Sequence, residues 1–133
     1  MVRKAGAAVN WKILIRDIAI IYGLTFLGGF VIGVAVDPES EGWVTGVLVS
    51  NIVFSILGFS IVVWLTQHDR FIHLVQVVVG LWILSFSNLW FGVSVSMWVL
   101  SIIPSFCFML FALGITVVLE WVSGRRRAVP ETT

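Results

Sequence analysis

The sequence predicts an all-α integral membrane protein, a four-helix bundle of antiparallel, up-down helices with both termini in the cytoplasm. Its mean hydropathy is +1.08, and charged residues make up 11% of its 133 residues, against roughly a quarter in soluble domains. A soluble domain of this length leaves too much of its surface exposed to hide that much apolar area. The surroundings of the chain are therefore predicted to be lipid.

Four apolar stretches are each long enough to cross a bilayer as a helix, which takes about 20 residues. They comprise residues 18–36, 43–65, 71–91 and 97–122 of one domain, 18–122. Residues 1–17 form a basic cytoplasmic segment before this domain, and residues 123–133 form a basic cytoplasmic tail after it. In lipid every backbone group must be satisfied within its own segment, so even stretches rich in Val and Ile become helices. The short connections make neighbouring helices antiparallel.

The distribution of charge predicts how the bundle is oriented. In a four-span arrangement the basic residues all fall on one side, namely Arg3, Lys4, Lys12, Arg16, Arg70, Arg125, Arg126 and Arg127. The charged residues in the loops on the other side are all acidic, namely Asp37, Glu39 and Glu41. The positive-inside rule then places both termini in the cytoplasm, as in a multi-pass protein of the cell membrane. An alternative is that the first stretch is a signal peptide cleaved near Ala35, which leaves three spans.

Small and polar residues recur along single faces of the predicted helices. In the first span Gly29 and Gly33 are four residues apart and are candidates for close helix packing. Asn51, Gln76 and Asn88 are candidate polar positions within the bundle. Such faces are typical of helices that pack and hydrogen-bond in lipid. The alternative interpretation is that they line a polar path or a ligand cleft.

The segment "QHDRFIHLVQ" between the second and third spans holds both histidines of the chain, His68 and His73. They are five residues apart and do not share a helical face. The single cysteine, Cys107, adds no second ligand to them, so the sequence predicts no metal site. It also shows no nucleophile–base arrangement and no phosphate-binding loop. We expect no enzymatic activity, no cofactor and no nucleic-acid partner, and we interpret the segment as a turn that anchors the topology.

One specific pair is predicted within the membrane. His73 lies about one turn into the third span, and Glu120 lies about one turn from the end of the fourth. In an antiparallel hairpin these depths match, and ionisable groups at membrane depth are usually paired. The alternative is that both side chains reach the headgroup region, where water and Arg125 satisfy them.

The predicted function is that of a non-catalytic structural or accessory subunit in a homo- or hetero-oligomeric membrane complex. The absence of a charged residue deep in any predicted span favours this interpretation. Its partners are then the lipid bilayer and either further copies of the chain or other membrane subunits. The alternative is an oligomeric transporter or channel for small molecules or ions, which is favoured by the polar positions Asn51, Gln76 and Asn88.

Overall fold

The computed structural model describes residues 9–67 and 69–124, and this part of the chain is all helical. Its elements are α1 (Trp11–Ala35), α2 (Glu41–Leu65), α3 (Arg70–Leu84), a 3₁₀ helix (Ser85–Phe91), α4 (Val95–Leu100) and α5 (Ile102–Val122). Four stretches are long and apolar enough to cross a membrane, with α3 and the 3₁₀ helix forming the third and α4 and α5 the fourth. The prediction of an all-α chain with four candidate spans is confirmed. His68 and five of the basic residues, Arg3, Lys4, Arg125, Arg126 and Arg127, lie outside the described residues.

The first helix begins earlier than its apolar stretch. It starts at Trp11 rather than at Ile18, and the Asn10 side chain caps it by accepting a hydrogen bond from the Ile13 N–H at 3.4 Å. Hydropathy locates the apolar part of a helix, whereas capping locates its end. As a consequence Asp17 belongs to the helix. At a rise of 1.5 Å per residue, it lies roughly 9 Å along the helix axis from Trp11.

The fourth candidate span is interrupted near its start. Here α4 ends at Leu100 and α5 begins at Ile102, with Ser101 between them. Pro104 has no backbone N–H, and its ring crowds the carbonyl of the residue four positions earlier, which is Leu100. The sequence thus contains the cause of the break.

Helices α1 and α2 pack antiparallel at close range. Gly58 of α2 lies against Ile21, and Gly28 of α1 lies against Phe54 and Ser50. A Cβ atom added to Gly28 would be 2.4 Å from the Phe54 Cδ2 atom, so a side chain at this position forces the Phe54 ring to move.

Close packing of α1 against α2 occurs at Gly28 and not at Gly29 and Gly33, where it was predicted. A Cβ atom at Gly29 or Gly33 would meet nothing within 4 Å in the described chain. The face of α1 that meets α2 is set by contacts with Ser50 and Phe54, and it is one residue out of phase with the predicted stripe. A contact of Gly29 and Gly33 with a second chain stays a prediction.

The buried core is concentrated toward one end of the bundle. We call this the basic end, because Lys12, Arg16 and Arg70 lie there, and we call the opposite end, with Asp37 and Glu41, the acidic end. The buried apolar side chains are Leu14, Ile21, Phe59, Val62, Val63, Leu74, Val77, Val78, Met109 and Ala112. Most of them belong to the parts of α1, α2 and α3 nearest the basic end, so the helices cover one another most completely there.

Candidate functional site: an ionic cluster at the basic end

Asp17 is the centre of the most unusual group in the described chain. It is an acidic residue within a candidate membrane span, and its exposed fraction is 0%. Its Oδ2 atom lies 2.7 Å from Nε2 of His73. Its Oδ1 atom accepts from Nε and Nη2 of Arg16, each at 2.7 Å. Both oxygens of the buried carboxylate are therefore engaged.

Two helices bring this cluster together. Both α1 and α3 begin at the basic end, so Asp17, in the second turn of α1, meets His73, in the first turn of α3. When the carboxylate is ionised, the Nε2–H of His73 donates to it. Removing a charge from water costs several kcal/mol, and close partners with hydrogen bonds are needed to offset that cost. The contact fixes α1 against α3.

A second ion pair joins α3 to α5 at the same end. Arg70 Nη1 and Nη2 donate to the two carboxylate oxygens of Glu120 at 3.1 and 2.8 Å, and Arg70 Nε donates to the carbonyl of Thr66 at 2.8 Å. This two-pronged geometry is the strongest arrangement for an arginine and a carboxylate. The Arg70 and Glu120 side chains are 19% and 35% exposed, so solvent reaches this pair more than it reaches Asp17.

His73 and Glu120, the pair predicted from the sequence, receive other partners in the structure. His73 contacts Asp17, and Glu120 contacts Arg70. Asp17 offers His73 a fully buried carboxylate, and Arg70, at the start of α3, reaches Glu120 with two donors. The predicted interhelical pair is thus replaced by two pairs that connect three helices.

The three candidate polar positions do not form one site. Asn51 and Asn88 are exposed, whereas Gln76 is partly buried, and they lie on α2, the 3₁₀ helix and α3 respectively. Within the described residues, none of these three side-chain amides hydrogen-bonds to another residue. The same range contains no group of three or more His, Cys, Asp and Glu residues placed to hold a metal ion.

Sequence reasoning also missed a pair of tryptophans. The rings of Trp82 and Trp98 stack with their centroids 4.3 Å apart and their planes at 12°. Each indole N–H donates to the other residue's carbonyl, at 3.0 and 3.2 Å, and the N–H of Trp98 also reaches the Ser85 hydroxyl at 3.1 Å. This contact holds α4 against the end of α3. The sequence signal is Trp82 itself, a tryptophan near the middle of the third predicted span, residues 71–91.

Comparison with known protein families, curated proteins and solved structures finds no match to this chain. The class of protein therefore follows from the chain itself. It is a helical protein with four stretches suited to crossing a membrane, which is the composition of a multi-pass membrane protein.

Proposed function

We propose that the protein is a non-catalytic accessory subunit of a homo- or hetero-oligomeric complex in the cell membrane. In this proposal the four candidate spans form an integral membrane bundle with the basic end in the cytoplasm. The grouping of Lys12, Arg16 and Arg70 at one end, with Asp37 and Glu41 at the other, supports this orientation.

The observation that carries the proposal is one face of α2. Toward the basic end this face is closed, since Gly58 and Val62 are buried by neighbouring helices. Asn51 and Leu48 lie eleven and fourteen residues before Val62, on the same side of the helix, and both are exposed, with 59% of Leu48 accessible. The same face of α2 is therefore buried by neighbouring helices near the basic end and left exposed further along the helix.

The exposed amide of Asn51 indicates that another protein, rather than lipid, packs against this part of α2. Asn51 lies at the middle of α2, where lipid chains offer no hydrogen-bonding group. Polar residues at such depth stabilise helix association by about 0.6 to 2 kcal/mol when they find a partner across the interface. A transmembrane helix that presents a hydrogen-bonding side chain satisfies Asn51 and buries Leu48 at the same time.

The hydroxyl groups of the spans also suit a packing role. Thr25, Ser60, Ser105 and Thr116 each donate to the carbonyl four residues earlier in their own helix. Such a bond satisfies the donor of a hydroxyl group in lipid within its own helix. This use of the hydroxyls supports a structural rather than a catalytic subunit.

Site-specific photo-crosslinking in native membranes tests the proposal. We expect a crosslinker at position 48 to form adducts with protein, identified by mass as a second copy or as another subunit. The matched control is position 53, because Val53 is also exposed but lies roughly 200° around the helix from Asn51. Lipid adducts alone at position 48, or equal protein adducts at both positions, contradict the proposal.

A proton-coupled transporter is the second candidate, and the buried contact between Asp17 and His73 favours it. Ionisable groups inside membrane spans commonly belong to proton relays. In proteoliposomes with an imposed pH gradient, we expect such a transporter to move its solute with the wild-type chain and to stop with Asp17→Asn. Loss of folding in that variant is checked by circular dichroism. Solute flux that is identical in Asp17→Asn and wild type eliminates a role for this pair.

A further inference from the structure

We propose that a groove between α2 and α5 binds the primary ammonium group of an aminophospholipid headgroup. The groove has a volume of about 290 Å³ and lies toward the basic end. Its polar walls are formed by Ser60, Thr116, Glu120 and Ser123, and its apolar walls by Trp64, Ile115 and Leu119. We call it the α2–α5 groove. A lipid-binding site goes beyond the proposed role as a subunit and does not depend on it.

The hydroxyl groups of the groove present acceptors rather than donors. The proton of Ser60 is donated to the carbonyl of Ile56 at 2.7 Å, that of Thr116 to Ala112 at 3.0 Å and that of Ser123 to Leu119 at 2.6 Å. A hydroxyl that donates to its own helix keeps its lone pairs for an incoming N–H or O–H group. The ligand that these groups select is therefore a hydrogen-bond donor.

The charged pair beside the groove matches a zwitterion. The Glu120 carboxylate contributes to the lining and carries negative charge, while Arg70 holds it from one side through two hydrogen bonds. An aminophospholipid headgroup carries a positive ammonium and a negative phosphate within a few ångströms. Its ammonium faces the acceptors and Glu120, which line the groove. Its phosphate lies on the side of Arg70, which borders the groove through its ion pair with Glu120 and is not one of the lining residues.

The aromatic and aliphatic walls suit the remainder of a lipid. The Trp64 side chain is exposed, and indole rings attract cations over their faces. Ile115 and Leu119 continue the groove along α5, away from its end at Val122. An acyl chain attached to a headgroup in the groove can run along these two residues.

Hydrogen bonding separates this proposal from general lipid contact. Phosphatidylethanolamine has three N–H donors, whereas phosphatidylcholine has the same charge and no N–H group. We expect native mass spectrometry of the detergent-purified protein to show tighter binding of phosphatidylethanolamine than of phosphatidylcholine with identical acyl chains. The preference should be roughly three- to tenfold, the effect of about one net hydrogen bond.

Two sets of variants locate the site. Ser60→Ala combined with Ser123→Ala removes two of the four acceptors that line the groove and should clearly lower the preference, while Thr116 and Glu120 remain. The control is Ser105→Ala, which deletes a hydroxyl with the same bond to the fourth preceding carbonyl elsewhere on α5, and it should keep the preference. Trp64→Leu should weaken the binding of both lipids by a similar factor, because it removes the ring and no acceptor.

Three outcomes overturn the proposal. The first is equal binding of the two lipids by the wild-type chain. The second is a preference that is unchanged by the loss of both serine hydroxyls. The third is displacement of the bound lipid by free ethanolamine at millimolar concentration, which assigns the groove to a small soluble amine instead of a lipid headgroup.

Discussion

Asp17 and His73 meet at 2.7 Å although 56 residues separate them, and Asp17 is fully buried at the contact. Arg16 engages the other carboxylate oxygen, so the cluster contains one anion and two groups able to donate to it. A helix-spanning contact of this kind constrains both the position and the rotation of α1 against α3.

We expect the stabilities of Asp17 and His73 variants to be strongly coupled. Asp17→Ala leaves His73 and Arg16 without their acceptor, and breaking a buried pair costs on the order of 3 kcal/mol. Each single change should therefore cost more than half of what the double change costs. A double-mutant cycle measured by thermal unfolding in detergent gives the coupling, and additive effects contradict the contact.

The same type of cycle distinguishes the observed pairs from the predicted one. Arg70→Ala and Glu120→Ala should couple by up to about 1 kcal/mol, because this pair is partly exposed and solvent screens it. His73→Ala and Glu120→Ala should be closer to additive, since the two side chains have different partners in the structure. A larger coupling for His73 with Glu120 than for His73 with Asp17 restores the original prediction.

Gly28→Ala should destabilise the chain relative to Gly29→Ala. Both changes gain the same helix propensity, about 1 kcal/mol, but only the Cβ at position 28 meets Phe54 and Ser50 at less than 3 Å. The difference between the two unfolding midpoints therefore isolates the cost of moving the Phe54 ring. Equal midpoints show that α1 and α2 do not approach each other at Gly28.

Trp98→Phe should loosen α4 from α3. The change keeps an aromatic ring for stacking but removes the N–H that reaches the Trp82 carbonyl and the Ser85 hydroxyl. We expect a loss of about 1 kcal/mol in unfolding free energy. Trp90→Phe is the control, because the Trp90 side chain is 86% exposed. Equal effects of the two substitutions contradict the stacked arrangement.

Cysteine labelling in intact cells tests the proposed orientation. The native thiol, Cys107, is exposed and must first be replaced by alanine. A cysteine at position 39 should react with an impermeant reagent from outside, whereas cysteines at positions 69 and 131 should react only after the cells are opened. Labelling of position 69 from outside reverses the topology, and a mature N-terminus near Val36 supports the cleaved signal peptide.

The sequence by itself determined the helical class and the four candidate spans, because apolar length and the need for internal backbone hydrogen bonds leave few alternatives. It also contained the cause of the break before α5, since Pro104 acts on its own helix through local geometry. The start of α1 is also marked locally in the sequence by Asn10, a residue type that caps helices, although hydropathy does not detect it.

Only the tertiary structure decided which residues became partners. The choice of Asp17 over Glu120 for His73, and of Gly28 over Gly29 for the contact with α2, depends on the rotation of each helix about its axis. In a helix each residue is turned by about 100° relative to the one before it. Because these helices are apolar on every side, the sequence does not predict which side of each helix faces its neighbours. The rotations are fixed when all helices pack together, so pairs between helices follow from the bundle and not from any single segment.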